Sequence, residues 1–193
     1  MIQYVEEAHG VLAVPLLDKL ACKSIIDYAR SLGRWENAEI REQITDGVYE
    51  TVAMPNVRSA SILWLACESE VYQQFNEGLD SIIKPLVKEV WEVDLNEHSG
   101  TQLIRYQPGG FYHGHPDAGG DFGYRYFSVV CYLNDDFEGG ETRFPSLNYS
   151  ATPECGKAIL FPAKYFHCAQ PVITGEKYVL VTWVVGPAPL KWI

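Results

Sequence analysis

The chain has 193 residues, 47% of them hydrophobic and 13% aromatic, which suffices for a sizeable core and excludes global disorder. Fifteen Lys and Arg stand against 25 Asp and Glu, for a net charge of −10 with His neutral. That sign, with no basic stripe, argues against nucleic acid and membrane surfaces as partners, and no apolar run approaches the roughly 18 residues that would cross a bilayer.

The start, Ile2-Gln3-Tyr4-Val5-Glu6-Glu7, lacks the cationic lead of a secretory signal. The five cysteines (22, 67, 131, 155 and 168) are odd in number and widely spaced, with no C-x-x-C. They are expected as buried, reduced thiols in a cytoplasmic protein. Leu16, Leu17, Leu20, Ile25, Ile26 and Ala29 follow a 3.6 period and predict a first helix that stops at Gly33. A second helix is predicted over 62–75. A third is predicted over 79–90, with Pro85 at its start or at a kink. Residues 1–100 therefore read as a mainly helical support region. Within it, the stretch 34–55, with Gly47 and Pro55, is either a segment that covers a substrate or an ordinary hairpin.

From Gln102 onward the texture changes to short strands between Gly, Pro, Asn and Asp clusters. The expected strands are 101–107, 124–133, 156–161 and 171–185, the last broken at Gly175. Strands at such spacing imply a sandwich or barrel. Helices packed on one sheet would account for Phe127 to Leu133 being apolar on both faces.

Three observations point to a metal. His113, His115 and Asp117 alternate, so an extended chain turns them to one face, about 7 Å apart per step. Spacing alone does not choose between the pairs His113/His115 and His115/Asp117. Lys177 opens a strand whose odd positions continue as Val179, Val181 and Trp183. A buried ammonium on that face needs an anion, or must reach water from the strand end. His167 lies ten residues before it. Two histidines and one carboxylate form the facial triad of non-haem Fe(II) oxygenases, and a nearby cation could hold an acidic co-substrate.

These residues resemble the 2-oxoglutarate- and Fe(II)-dependent dioxygenases, on the prolyl 4-hydroxylase-like branch, over roughly Thr101 to Val185. A strand ending at Tyr106 precedes His115-x-Asp117 by nine residues. Arg125-Tyr126-Phe127-Ser128 leads to Tyr132-Leu133-Asn134-Asp135, and Gly139-Gly140-Glu141-Thr142 follows. His167, Lys177 ten positions on and Trp183 six beyond complete the register. Val14 to Tyr28 and Val57-Arg58-Ser59 are similar less specifically.

The resemblance implies a mainly β, α+β fold: a double-stranded β-helix (jelly-roll) core over 101–186, buttressed by N-terminal helices, in a single dioxygenase domain spanning 1–193. It implies Fe(II) on His115, Asp117 and His167, and 2-oxoglutarate on Lys177. Tyr106 and Tyr132 would add hydroxyls to the same carboxylate, with Thr142 and Trp183 lining the co-substrate pocket. Arg125 is expected near the substrate entrance and His113 at the pocket edge. With O2, and with ascorbate as a stimulant, the chemistry would oxidise an unactivated C–H bond and release succinate and CO2. Asp117 implies hydroxylation, because halogenating relatives carry a small residue there. The expected substrate is a prolyl or other amino-acid side chain, in a peptide or free. Two alternatives stand: the same chemistry on a small metabolite, or a non-catalytic cupin-like metal-binding module. The oligomeric state is left open.

Overall fold

The computed structural model describes residues 2–45 and 48–187. Its strands in chain order are β1 (Val5–Ala8), β2 (Val11–Pro15), β3 (Glu36–Asn37), β4 (Ile40–Thr45), β5 (Val48–Val52), β6 (Arg58–Ser59), β7 (Ser61–Trp64), β8 (Glu97–His98) and β9 (Gln102–Tyr106). They continue as β10 (Phe111–His115), β11 (Arg125–Tyr132), β12 (Glu138–Gly139), β13 (Thr142–Phe144), β14 (Tyr149–Ala151), β15 (Lys157–Pro162), β16 (His167–Ala169), β17 (Val172–Thr174) and β18 (Lys177–Val185). The α-helices are α1 (Lys19–Leu32), α2 (Glu70–Gly78) and α3 (Lys84–Trp91), with a π-helical turn at Leu79–Ile83 joining the last two.

A large antiparallel sheet runs β1-β2-β15-β11-β18-β9-β7-β3, with β8 also paired to β18. A smaller sheet runs β14-β13-β16-β10-β6, and β4 with β5 forms a separate hairpin. The fold is therefore mainly β with few helices. The four strands expected after residue 100 all form, and the last is broken around Gly175 as anticipated.

The first hundred residues depart from the expected helical region, since they carry eight strands beside the helices. The largest correction falls at 62–75. Ile62 and Leu63 pair with Ile104 and Leu103 in the large sheet, and the helix begins only at Glu70. Ile62 and Leu63 point into different cores, which is the alternation of a strand. The Ser69 hydroxyl accepts from the Tyr72 N–H and caps the helix. In α1, the Asp18 carboxylate accepts from the Ala21 N–H and Gly33 closes the helix at φ 61°. Leu20, expected on the buried stripe, is exposed. Pro85 sits at the second residue of α3, directly after the π-helical turn and within one continuous helical stretch.

One apolar core joins Ile25, Phe75, Leu79 and Leu86 of the helical segments to Val129, Leu180 and Val184 of the large sheet. A second core lies on the opposite face, with Ile104, Val130, Val179, Val181 and Trp183. The strand β18 feeds both by simple alternation. Its residues Tyr178, Leu180 and Val184 face the helices, while Val179, Val181 and Trp183 belong to the second core.

The cysteines form no disulfide, but only Cys22 and Cys131 are buried; Cys155 and Cys168 are half-buried and Cys67 is exposed. Among the described residues no helix is long and apolar enough to cross a membrane.

Candidate metal centre and the cavity beside it

The antiparallel pairing of β10 with β16 sets His115 directly opposite His167. Asp117 lies two residues beyond the end of β10. Its backbone N–H, and that of Ala118, donate to the Ala163 carbonyl at 2.8 and 3.0 Å, which holds the turn. The ligand atoms of His115, Asp117 and His167 all lie within 4.8 Å of one another. The Nε2 atoms of His115 and His167 stand 3.6 and 3.5 Å from the Asp117 carboxylate oxygens.

The surroundings orient each of the three. Nδ1 of His115 is 2.8 Å from the His113 carbonyl, and Nδ1 of His167 is 2.9 Å from the Tyr165 carbonyl. A carbonyl can only accept, so each Nδ1 carries the proton and each Nε2 presents a lone pair. Burial pushes His167 down to about 4, so it is neutral at physiological pH. Burial alone would raise the Asp117 carboxyl. The charge that His167 and His115 carry when protonated, and a 2.6 Å hydrogen bond from the Ser128 hydroxyl, outweigh it and hold the group well below the usual carboxylate range. Two imidazoles that present Nε2 and one carboxylate, gathered on one side, fit a divalent iron with positions left open.

His113 does not join them. A register irregularity between Tyr112 and His115 breaks the strict alternation that would have put 113, 115 and 117 on one face. The His113 ring is exposed, rests against Phe111 at 4.6 Å between centroids, and lies outside the cavity lining. Tyr112 takes the inner position instead and stacks on His115 at 3.6 Å.

The triad opens on a cavity of ≈ 470 Å³ between the two sheets and the β4–β5 hairpin. Lys177 lines its depth and is 1% exposed. Its Nζ donates to the Gly140 carbonyl at 2.6 Å and stands 4.9 Å from the Tyr106 ring centroid and 5.4 Å from that of Tyr132. Among the described residues no carboxylate comes within ion-pair distance of it, and burial pushes the amine down to about 7. A Cβ at Gly140 would press on the Lys177 stem at 3.2 Å, and the residue's φ of 67° suits glycine.

Tyr106, Thr142, Arg125 and Trp183 all line the cavity. Tyr132 does not; its hydroxyl donates to Thr142 Oγ1 at 2.7 Å and so sits behind that side chain. The Arg125 guanidinium lies 3.5 Å from the Trp183 ring centroid and 3.8 Å from that of Phe122. In the 34–55 stretch, Ile40, Arg41 and Thr51 contribute to the wall, and Arg41 pairs with Asp121 at 2.7 Å. Gly47 lies outside the described residues.

Three residues of the site lay outside the sequence assignments. Ser128 supports Asp117, Tyr112 covers His115, and the buried Arg58 stands 4.6 Å from the Tyr112 ring. Ser128 had a signal, as the one serine in a strand that is otherwise apolar and aromatic after Arg125.

Comparison with known proteins agrees with this geometry. Residues 101–185 match the model of the 2OG-Fe(II) oxygenase superfamily. Prolyl 4-hydroxylase 1 of Arabidopsis thaliana is 31% identical over 111 residues, covering 43% of this chain and 39% of its own. The chain spans between 49% and 58% of the length of the first three curated relatives it matches. Among solved structures, a Pseudomonas putida prolyl-4-hydroxylase superposes with a TM-score of 0.75 at 18% identity, covering 93% of this chain and 94% of its own. A viral collagen prolyl hydroxylase from Paramecium bursaria Chlorella virus-1, in complex with 2OG, gives 0.67 at 21% identity, with 90% and 94% covered. The chain is thus similar, over its second half, to the 2OG-Fe(II) oxygenase superfamily, and its relatives and structural neighbours include prolyl 4-hydroxylases.

Proposed function

We propose that the chain is an Fe(II)- and 2-oxoglutarate-dependent hydroxylase of an amino-acid side chain, built as a single dioxygenase domain on a double-stranded β-helix. One observation carries the reading. A buried, unpaired Lys177 shares a cavity with a His-Asp-His cluster whose three ligand atoms converge. A dicarboxylate supplies the anion that the ammonium lacks, and its keto-acid end then faces the metal ligands.

His115, Asp117 and His167 hold the iron by one face. The iron, when bound with 2-oxoglutarate and O2, supplies the oxidising power, and succinate and CO2 leave. The protein supplies position and dryness. Ser128 fixes the carboxylate of Asp117. Lys177 and Tyr106 grip the distal carboxylate, and Tyr132 sets the Thr142 hydroxyl. Trp183 closes the wall beneath Arg125, which faces the incoming substrate. The relatives and neighbours described above are prolyl hydroxylases, and a Trichoplax adhaerens prolyl hydroxylase with a TM-score of 0.70 was solved with a peptide fragment of hypoxia inducible factor. These support a prolyl or related residue as the target.

The test is succinate formation from 2-oxoglutarate with Fe(II), O2 and ascorbate, wild type against His167→Ala, followed by a search for +16 products among peptides and free amino acids. Turnover confined to the wild type is expected. Equal, background-level succinate in both proteins would leave only a non-catalytic metal-binding module.

A further inference from the structure

Taking the hydroxylase reading as given, we infer that the substrate carries a carboxylate and that Arg58 receives it. Lys177 accounts for one anion, the co-substrate. The cavity wall holds a second cation, Arg58, which has the neutral Tyr106 hydroxyl beside it but no anion. Arg58 lines the cavity, yet it is only 8% exposed. One Nη donates to the Glu39 main-chain carbonyl at 3.0 Å, while its buried Nε has no hydrogen-bond partner. Among the described side chains no carboxylate oxygen comes within 4.0 Å of its guanidinium. The acidic neighbours are otherwise placed. Asp117 serves the triad, Asp121 pairs with Arg41, and Glu36 and Glu39 are exposed at the rim.

A guanidinium out of water and without a counter-ion is costly, and its planar fork matches a carboxylate in two parallel hydrogen bonds. Its position gives the anchor a purpose. Arg58 pairs across β6 and β10 with Tyr112, and the Tyr112 ring lies against both Arg58 and the metal ligand His115. A carboxylate held at Arg58 is thus one aromatic ring away from the metal centre. The carbon presented for oxidation lies a short distance from the acid group, as in a free amino acid. Arg125, with its own buried and unpartnered Nε, stands on another wall and limits how the rest of the molecule lies. An acidic side chain next to the target residue of a peptide would offer the same carboxylate.

The experiment measures binding to the wild-type protein loaded with Mn(II) and 2-oxoglutarate under nitrogen, where no turnover intervenes. One arm compares each free amino acid with its amide. The other compares acetyl-Gly-Pro-Glu-amide with acetyl-Gly-Pro-Gln-amide. At least a tenfold preference for the acid is expected in one arm, and that arm identifies the source. In Arg58→Gln the preference should collapse to within twofold, and Arg58→Lys should restore part of it. The affinity of both variants for Mn(II) should stay within twofold of wild type. A merely structural Arg58 would weaken acid and amide alike, or leave the preference standing in Arg58→Gln. Either result overturns the inference, as does equal binding of acid and amide in both arms. Failure of the wild type to bind Mn(II) and 2-oxoglutarate would instead refute the hydroxylase reading on which this rests.

Discussion

The two faces of the large sheet are built from the same strands and do opposite work. Toward the helices, β11 and β18 offer Phe127, Val129, Cys131, Tyr178, Leu180 and Val184, and these meet Ile25, Phe75 and Leu86 in a dry apolar core. Toward the cavity, the alternate residues include Ser128, Lys177 and Trp183. Here polar atoms are buried without full satisfaction, among them the Trp183 ring N–H and the Nε atoms of Arg58 and Arg125. Such atoms are rare in folded proteins because each one costs stability. Among the described residues four of the seven side chains with such atoms, Ser99 included, line the cavity, where a ligand can complete them. The helix face supplies the surplus that lets the cavity face remain unfinished.

Substitutions that separate the two faces sharpen this contrast. Asp117→Ala should lower metal affinity about 100-fold or more, since losing even an outer partner costs roughly 10–100-fold. Anaerobic Fe(II) titration reads it, and unchanged binding would remove the triad. Lys177→Met should cut 2-oxoglutarate affinity about 30-fold or more while raising the melting temperature of the unliganded protein, because it removes an unpaired buried charge. A variant that loses both binding and stability would show the lysine to be structural.

Phe75→Ala is the converse on the helix face. It should cost about 3–5 kcal/mol in denaturant unfolding and leave 2-oxoglutarate affinity unchanged. Ser128→Ala should weaken metal binding about 10-fold through the loss of one outer hydrogen bond.

The smallest effect is a proton. Lys177 is held down to about 7 from an ordinary 10.5. Between those values the unfolded chain binds a proton that the folded chain does not, so this group makes stability rise with pH across that window. A bound dicarboxylate restores the charge. Binding near pH 8 should therefore take up a fraction of a proton, visible as a buffer-dependent heat in calorimetry. A heat independent of buffer would remove the pairing.

Much of the cavity was readable in the chain because strand alternation and residue spacing are local. Lys177, Val179, Val181 and Trp183 share a face by period alone, and His115 with Asp117 follows from two residues of extended chain. The failures are long-range. The stretch 62–75 reads as helical because an apolar run followed by an amphipathic one hides the turn at Cys67-Glu68-Ser69; only pairing with β9 makes Ile62 and Leu63 a strand. Spacing alone leaves His113 level with His115, and the irregularity that separates them leaves no trace in residue type; the ring is exposed and outside the cavity lining, not at its edge. Tyr132 reads as a co-substrate contact until Thr142 is seen in front of it. Arg58 sits in a two-residue strand with no period to read, and its importance comes from a partner more than fifty positions away.

The metal ligands are also anchored in two different sheets. His115 and His167 belong to the small sheet, whereas Asp117 is tied through Ser128 to β11, a strand paired on both sides within the large one. An ion gripped by all three acts as a rivet between the layers. Loading should therefore slow hydrogen exchange most in β10 and β16, the strands that carry the histidines, and resistance to proteolysis would then report on iron supply.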